Sequence, residues 1–399
     1  MKKDTKTLLK DNTMLIVLIL VFIFFTITTK GMMFQPMQFN ALITQNAYVF
    51  ILACGMLMCM LTGGNIDLSC GAFVCLVGSI GGYLMIVKGM NTGLSIVIML
   101  LVGVLYGCVL GYLVAYVEIP PWIATLAGFL AFRGLGTQIL SSSSDTGSLA
   151  PFPENFLNIF AGKVLSTKLG VLNMPCIIVG VVACLLVAFL NFSSRASRVK
   201  KGYEADSFAW VLGKTVLLSA AIILFAWKLA MAGGIPTVLI WVAIIVLIYS
   251  FITGKTTIGR HFYVVGGNRE AARLSGIDTR KVMFLAYLNM AVITVITSFA
   301  VLSKVQAANS TLGTNYEMDA ISACVVGGVS AYGGAGTVPG MLVGALLIGV
   351  INLGMSLMGI DANWQKVVKG VVLLGAVAFD ILGKQNINWK SLLPFSKKN

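Results

Sequence analysis

Apolar runs of roughly 20 residues, closed by glycine, proline or clusters of charge, recur along almost the whole chain. A hydrocarbon core about 30 Å thick is crossed by about 20 helical residues, so run length marks candidate membrane spans. Twelve qualify, near 14–29, 41–62, 67–87, 93–117, 122–140, 171–192, 208–228, 233–252, 283–303, 319–334, 336–358 and 364–382. Three of these, 67–87, 122–140 and 319–334, are glycine-rich, short or carry ionisable residues. They are the candidates for broken or re-entrant backbone. The expected fold class is therefore all-α: a polytopic integral membrane protein with ten to twelve of these segments crossing.

Composition agrees, with 58% apolar and only 11% charged residues over 399. Soluble domains of this length do not reach such values. Lys30-Gly31-Met32-Met33 after the first run offers no small-x-small cleavage pattern, so that run reads as an uncleaved anchor. No stretch between runs is long enough for a soluble domain, and residues 1–399 read as one transmembrane domain. Its longest connection, 141–170, opens with Ser141-Ser142-Ser143-Ser144-Asp145 and carries Pro151-Phe152-Pro153, which is loop chemistry on the external side.

Orientation follows from the cations, because short positive loops stay cytoplasmic. Four clusters stand out: Lys2, Lys3, Lys6 and Lys10; Arg195, Arg198, Lys200 and Lys201; Lys255, Arg260, Arg269, Arg273, Arg280 and Lys281; and Lys384, Lys390, Lys397 and Lys398. Between successive clusters lie six, two and four candidate spans, all even, so the four share one face and both termini are expected in the cytoplasm. Residues 193–207 then form a basic cytoplasmic loop, and 253–282 a second cytoplasmic loop. A formal charge of +14 raises nucleic acid as a partner, but these cations border apolar helices, where anionic lipid headgroups account for them. Nucleic-acid binding is not expected.

Enzymatic chemistry finds little support. The eight cysteines all fall in apolar segments without a C-x-x-C pair, and His261 is the single histidine, set in a basic loop. No metal or cofactor constellation appears, and no G-x-x-x-x-G-K-[ST] stands ready to cradle nucleotide phosphates. If transport needs ATP, another polypeptide hydrolyses it.

The 253–282 loop holds the most specific pattern, Gly267-Asn268-Arg269-Glu270-Ala271-Ala272-Arg273-Leu274-Ser275-Gly276-Ile277. Asn268 is placed to cap a short helix. Ala271 and Ala272 keep its face shallow enough for a partner groove, and Gly276, free to adopt positive φ, turns the chain back.

This cassette resembles the coupling loop of ABC importer permeases, and the fuller string from Gly266 is similar to their ribose, xylose and multiple-monosaccharide branch. Gly63-Gly64-Asn65-Ile66-Asp67-Leu68-Ser69 with Gly71 resembles that branch's G-G-x-D-L-S-x-G element, with Asn65 inserted. Pro121-Trp122-Ile123-Ala124-Thr125-Leu126 leading to Arg133-Gly134, the glycine-rich segment from Val326-Gly327-Gly328 through Gly333, Gly334, Gly336, Gly340 and Gly344, and Lys369-Gly370 carry further likeness. The Leu-Pro pair that closes the motif in many such permeases is absent, as is usual in the sugar branch. An extra basic loop and an extra span near 208–228 look like the longer xylose and multiple-monosaccharide type.

The resemblance implies a permease subunit that forms a sugar pathway by alternating access and works with a cytoplasmic ATPase, an extracytoplasmic sugar-binding protein and a second permease copy or a paralogue. It implies a coupling role for Gly267, Asn268, Glu270, Ala271, Ala272, Ser275 and Gly276. Pentose versus hexose is left open. The alternative is a stand-alone secondary transporter of small polar solutes, for which only Asp67 and Asp380 come near to serving as coupling carboxylates.

Several polar residues in apolar surroundings have two readings. Asp67 with Ser69 either lines a cavity or caps the helix that follows. Arg133 either snorkels or pairs structurally, or lines a pathway. Lys366 and Lys369, three apart on the last segment, either snorkel or neutralise a carboxylate. Gly327, Gly328, Gly333 and Gly334 serve close helix packing or expose carbonyls to sugar hydroxyls. Glu317, Asp319 and Asp361 are expected as solvated carboxylates on the outer face, within reach of a delivery protein.

Overall fold

The computed structural model describes residues 13–164, 168–169, 172–203 and 207–385, with the side chains of 168, 169, 172 and 379–385 left aside. The first and last basic clusters and the Asp380 side chain thus lie outside the described residues.

Helix dominates: α1 Thr13–Thr28, α2 Pro36–Leu61, α3 Cys70–Gly82, α4 Thr92–Ala115, α5 Pro121–Ser143, α6 Glu154–Phe160, α7 Met174–Lys200 and α8 Phe208–Met231. There follow α9 Thr237–Lys255, α10 Thr257–Gly267, α11 Arg269–Leu274, α12 Thr279–Val305, α13 Tyr316–Val326, α14 Val338–Leu357 and α15 Ala362–Gln385. Among the described residues, nine helices are long and apolar enough to cross a membrane, and α1 is a shorter apolar helix. This is a polytopic membrane protein, as the apolar runs predict.

The three weaker segments divide. Segment 67–87 is α3 continued by a π-helical turn, Tyr83–Val87, and 122–140 is the unbroken α5. Segment 319–334 is not a span. Helix α13 stops at Val326, and Gly328, Gly333, Gly334 and Gly336 follow at positive φ, so the glycines end the helix and fold the chain into turns. Two connections also differ from expectation. The 193–207 loop is largely helical because α7 runs on through Arg195 and Arg198 to Lys200, and the 141–170 connection contains α6.

Helix α2 occupies the centre, buried from Asn46 to Leu61, with α9, α12, α13 and α14 packed around it. Helices α4 and α12 meet along Gly103, Gly107 and Gly111 of α4. A Cβ on Gly107 would lie 2.9 Å from Leu288 Cα, and one on Gly111 2.9 Å from the Phe284 carbonyl, so glycine at every fourth position is what allows the backbones to approach. The α7–α8 hairpin projects from this core and exposes Leu185, Leu186, Phe189, Leu190 and Leu217, apolar surface suited to lipid.

Two-residue antiparallel ladders join connections at one end of the bundle: Ser148–Leu149 with Ala308–Asn309, and Lys163–Val164 with Ile235–Pro236. Trp241 Nε1 donates to the Ile159 carbonyl at the same end. The end of α2, the α10–α11 cassette and the 330–336 turns meet at the other.

Candidate functional site

Helix α11 is short but fixed at both ends. Asn268 Oδ1 accepts the Ala271 N–H at 2.9 Å, satisfying a donor of the first turn. At the other end Gly276 has φ +82°, its N–H donates to the Arg273 carbonyl, and the Ile277 N–H donates to that of Ala272. These paired bonds form a Schellman stop. Ser275 Oγ adds a bond to the Ala271 carbonyl at 2.9 Å.

Ala272 is fully buried beneath the helix, whereas Gly267, Asn268, Glu270, Ala271, Arg273, Leu274, Ser275 and Gly276 are exposed. The Glu270 carboxylate takes hydrogen bonds from the Arg273 guanidinium. That hydrogen bond and the adjacent positive charge hold the Glu270 carboxyl below the ordinary carboxylate range. Its neighbour Leu274 is 79% exposed, an apolar side chain standing in solvent beside a carboxylate.

Beneath α11 three stretches of backbone touch. The Gly334 N–H donates to the Leu61 carbonyl at 3.1 Å. A Cβ on Gly266 would fall 1.7 Å from the Leu61 carbonyl oxygen, one on Gly64 1.9 Å from that of Ala331, and one on Gly333 2.4 Å from Gly63 Cα. Gly334 approaches Gly267 in the same way, and Tyr263 Oη donates to the Gly336 carbonyl at 2.9 Å. The two glycine pairs near 63 and 333 therefore meet on one face, joined through the end of α10. Gly327 lies elsewhere, against the Gly340 carbonyl where α13 meets α14, and has the close-packing geometry. Gly328 has φ +83° and open space around it.

The polar residues of the apolar segments form three separate groups. Asp67, 1% exposed, accepts from the Ser69 N–H at 2.8 Å and the Ser69 hydroxyl at 2.5 Å. Tyr106 Oη lies 2.6 Å from Ser69 Oγ, extending the chain to α4. Asp67 thus closes a turn before α3 rather than capping it, since Ser69 is the cap residue and no side chain bonds there. Arg133 sits elsewhere and donates from Nη1 to the carbonyls of Ser310 and Leu312, both at 2.8 Å. It ties α5 to the turns that precede α13.

Lys369 does not snorkel. Its Nζ lies 2.9 Å from Asp319, which also accepts the Tyr48 hydroxyl at 2.5 Å. Tyr48 and Tyr316 stack with ring centres 3.7 Å apart. Asp319 is 2% exposed and Glu317 5%, and the expectation of solvated carboxylates on the outer face fails for both. Opposite charges on two apolar segments neutralise each other inside the bundle instead. Asp361 remains exposed. Glu317 Oε2 packs over Gly71, and with Tyr287 Oη and Asn289 Nδ2 it is buried without a hydrogen-bond partner among the described residues. Spacing gave no sign of Tyr48, Tyr106 or Tyr287, because a tyrosine inside an apolar run reads as ordinary core.

A family described as the permease component of branched-chain amino acid transport systems matches residues 38–377. The chain belongs to this permease family. Among curated relatives of the family, the xylose transport system permease protein of Haemophilus influenzae is 30% identical over 380 residues, covering 94% of this chain and 96% of the relative. The corresponding Escherichia coli protein is 31% identical, covering 93% and 92%. A ribose import permease protein of Escherichia coli is 28% identical over 90% of this chain and 87% of its own length. No solved structure matches.

Proposed function

We propose that this chain is the membrane permease subunit of an ATP-driven, binding-protein-dependent importer of monosaccharides, pentose or hexose, in the cytoplasmic membrane of a prokaryote. The reading rests on family membership together with relatives whose names specify xylose transport and ribose import at full-length coverage. Both termini and α11 face the cytoplasm in this reading. Two copies, or one copy and a paralogue, line the sugar pathway, an extracytoplasmic binding protein delivers the sugar, and a separate ATPase subunit docks on α11.

The observation that carries the coupling role is the position of α11, exposed on its outer side and fixed at both caps above the glycine junction. An ATPase that grips Glu270 and Leu274 moves α11 as a rigid piece. Because no side chain separates Gly266 from Leu61 or Gly334 from Gly267, the displacement passes by backbone contact to the end of α2 and the approach to α14. Packed contacts of this kind shift between discrete arrangements rather than deforming smoothly. In the pathway, the unpartnered polar atoms of Tyr287 and Asn289 and the Asp67–Ser69–Tyr106 chain are suited to exchanging hydrogen bonds with a passing polyol.

Gentle solubilisation followed by pull-down through a C-terminal tag tests the docking. A Walker-motif ATPase is expected to remain bound to the wild type and to be weakened by Glu270→Lys. Active transport by a chain that retains no ATPase would favour a secondary transporter.

A further inference from the structure

The α7–α8 hairpin ends in a recess that the transport role leaves unused. From α7 come Asn191, Ser194, Arg195, Ser197 and Arg198, followed by Lys201; from α8 come Trp210 and Lys214. Two adjoining concavities, of about 510 and 180 Å³, share Ser194 and Arg198 as common walls. Asn191 Nδ2 bonds Thr215 Oγ1 at 3.0 Å between the two helices, and the Arg195 guanidinium lies 5.6 Å from the Phe208 ring centre. These contacts hold the two walls in register.

The sequence from 191 to 215 carries five cations, Arg195, Arg198, Lys200, Lys201 and Lys214, and two carboxylates, Glu204 and Asp206. A helix C-terminus attracts cations of its own accord, which accounts for Arg198 and Lys200 at the end of α7 but not for Lys214 on the neighbouring helix. Directly beyond the recess, both helices expose apolar side chains: Phe189 and Leu190 on α7, and Val216 and Leu217 on α8. Charged donors, hydroxyls and an indole thus stand over an acyl-compatible wall, the order of groups in a glycerophospholipid seen from its headgroup inward. Helices α8 and α9 lead from this end to Ile235–Pro236 and back to Lys255, so the recess opens on the face that carries α11.

We propose that this recess binds the phosphodiester headgroup of an anionic glycerophospholipid. Arg198 and Lys214 grip the phosphate from opposite helices, Ser194 supplies a hydroxyl, Trp210 sits at the headgroup boundary, and the acyl chains run along Phe189 and Leu217.

Native mass spectrometry and thermal melting of the full-length chain in detergent, with added phosphatidylglycerol or phosphatidylcholine, provide the test. Phosphatidylglycerol is expected to be retained and to raise the melting temperature, whereas phosphatidylcholine does neither. Arg198→Gln with Lys214→Gln should weaken phosphatidylglycerol retention roughly 30-fold, each cation near an anionic surface contributing about fivefold. The charge-matched pair Lys255→Gln with Arg260→Gln should leave retention unchanged and shows that net charge alone is not responsible. Equal retention of the two lipids, or equal loss in both double variants, overturns the site. Inorganic phosphate that reproduces the full stabilisation without lipid overturns the lipid assignment. If the first variant fails to fold, Arg198→Lys, which keeps charge but loses the fork, should still lower retention relative to the wild type, and no change contradicts the proposal.

Discussion

At the scale of single residues, the cassette and the buried charges make separable demands. Removing the Asn268 cap by Asn268→Ala should cost about 0.5–2 kcal/mol of local helix stability. Hydrogen exchange is the direct readout: amides of residues 270–276 should exchange faster, with those of α12 unchanged. Lys369→Met leaves Asp319 buried without its cation, and loss of one member of such a pair costs about 3–5 kcal/mol. Changing both, Lys369→Met with Asp319→Asn, should recover most of that loss. A double-mutant cycle on melting in detergent checks this, and additive effects of the two changes would mean that the pair does not act as a unit. Arg133→Met forfeits two hydrogen bonds from a charged donor, each worth about 1.5–3 kcal/mol. Arg133→Lys should restore only part of the lost melting temperature, because one ammonium does not reproduce the guanidinium geometry.

Among the elements, the contrast between Gly266 and Gly267 isolates the junction. The two are adjacent in α10, but an added methyl at Gly266 meets the Leu61 carbonyl whereas one at Gly267 meets nothing within 4 Å. Gly266→Ala should therefore separate α10 from α2 and reduce sugar uptake by about tenfold or more while α11 still binds the ATPase. Gly267→Ala should leave the melting temperature of the chain within about 1 °C of wild type, as expected for a surface substitution that removes no contact. Paired uptake and co-purification assays read both effects, and equal uptake by the two variants would remove the junction from the coupling path.

The same elements show what the sequence discloses. Apolar runs near 41–62, 93–117 and 283–303 became α2, α4 and α12 with ends displaced by only a few residues, because a span must be long and apolar wherever it packs. Caps at Asn268 and Gly276 were legible for a similar reason, since their chemistry is local. Run length alone counts 319–334 as a span, but its glycines mark it as a candidate for broken backbone, and the helix does end before Gly328. Cation clustering misplaced 193–207 as a loop, because α7 continues past the apolar run while its side chains become polar. The Lys369–Asp319 pair and the meeting of Gly63 with Gly333 were hidden for a deeper reason. Both join positions far apart in sequence, which no spacing rule can bring together.

For the whole molecule, the described helices form a central α2 enclosed by a tight bundle, with a lipid-facing hairpin to one side and α11 exposed at one end. In the proposed function α11 receives the mechanical stroke, and buried polar groups lie along the core. Among the described residues, Asp67 closes a turn and Asp319 is neutralised by Lys369, while Glu317 keeps a buried Oε2 without a hydrogen-bond partner. The proposed function requires that transport take its energy through α11 and not from an ion gradient. Reconstituting the chain with its ATPase and sugar-binding protein in proteoliposomes, and following labelled xylose or ribose, decides the matter. Uptake that needs ATP and persists when ionophores collapse all gradients is the predicted result; uptake driven by an imposed proton or sodium gradient without ATP would contradict it.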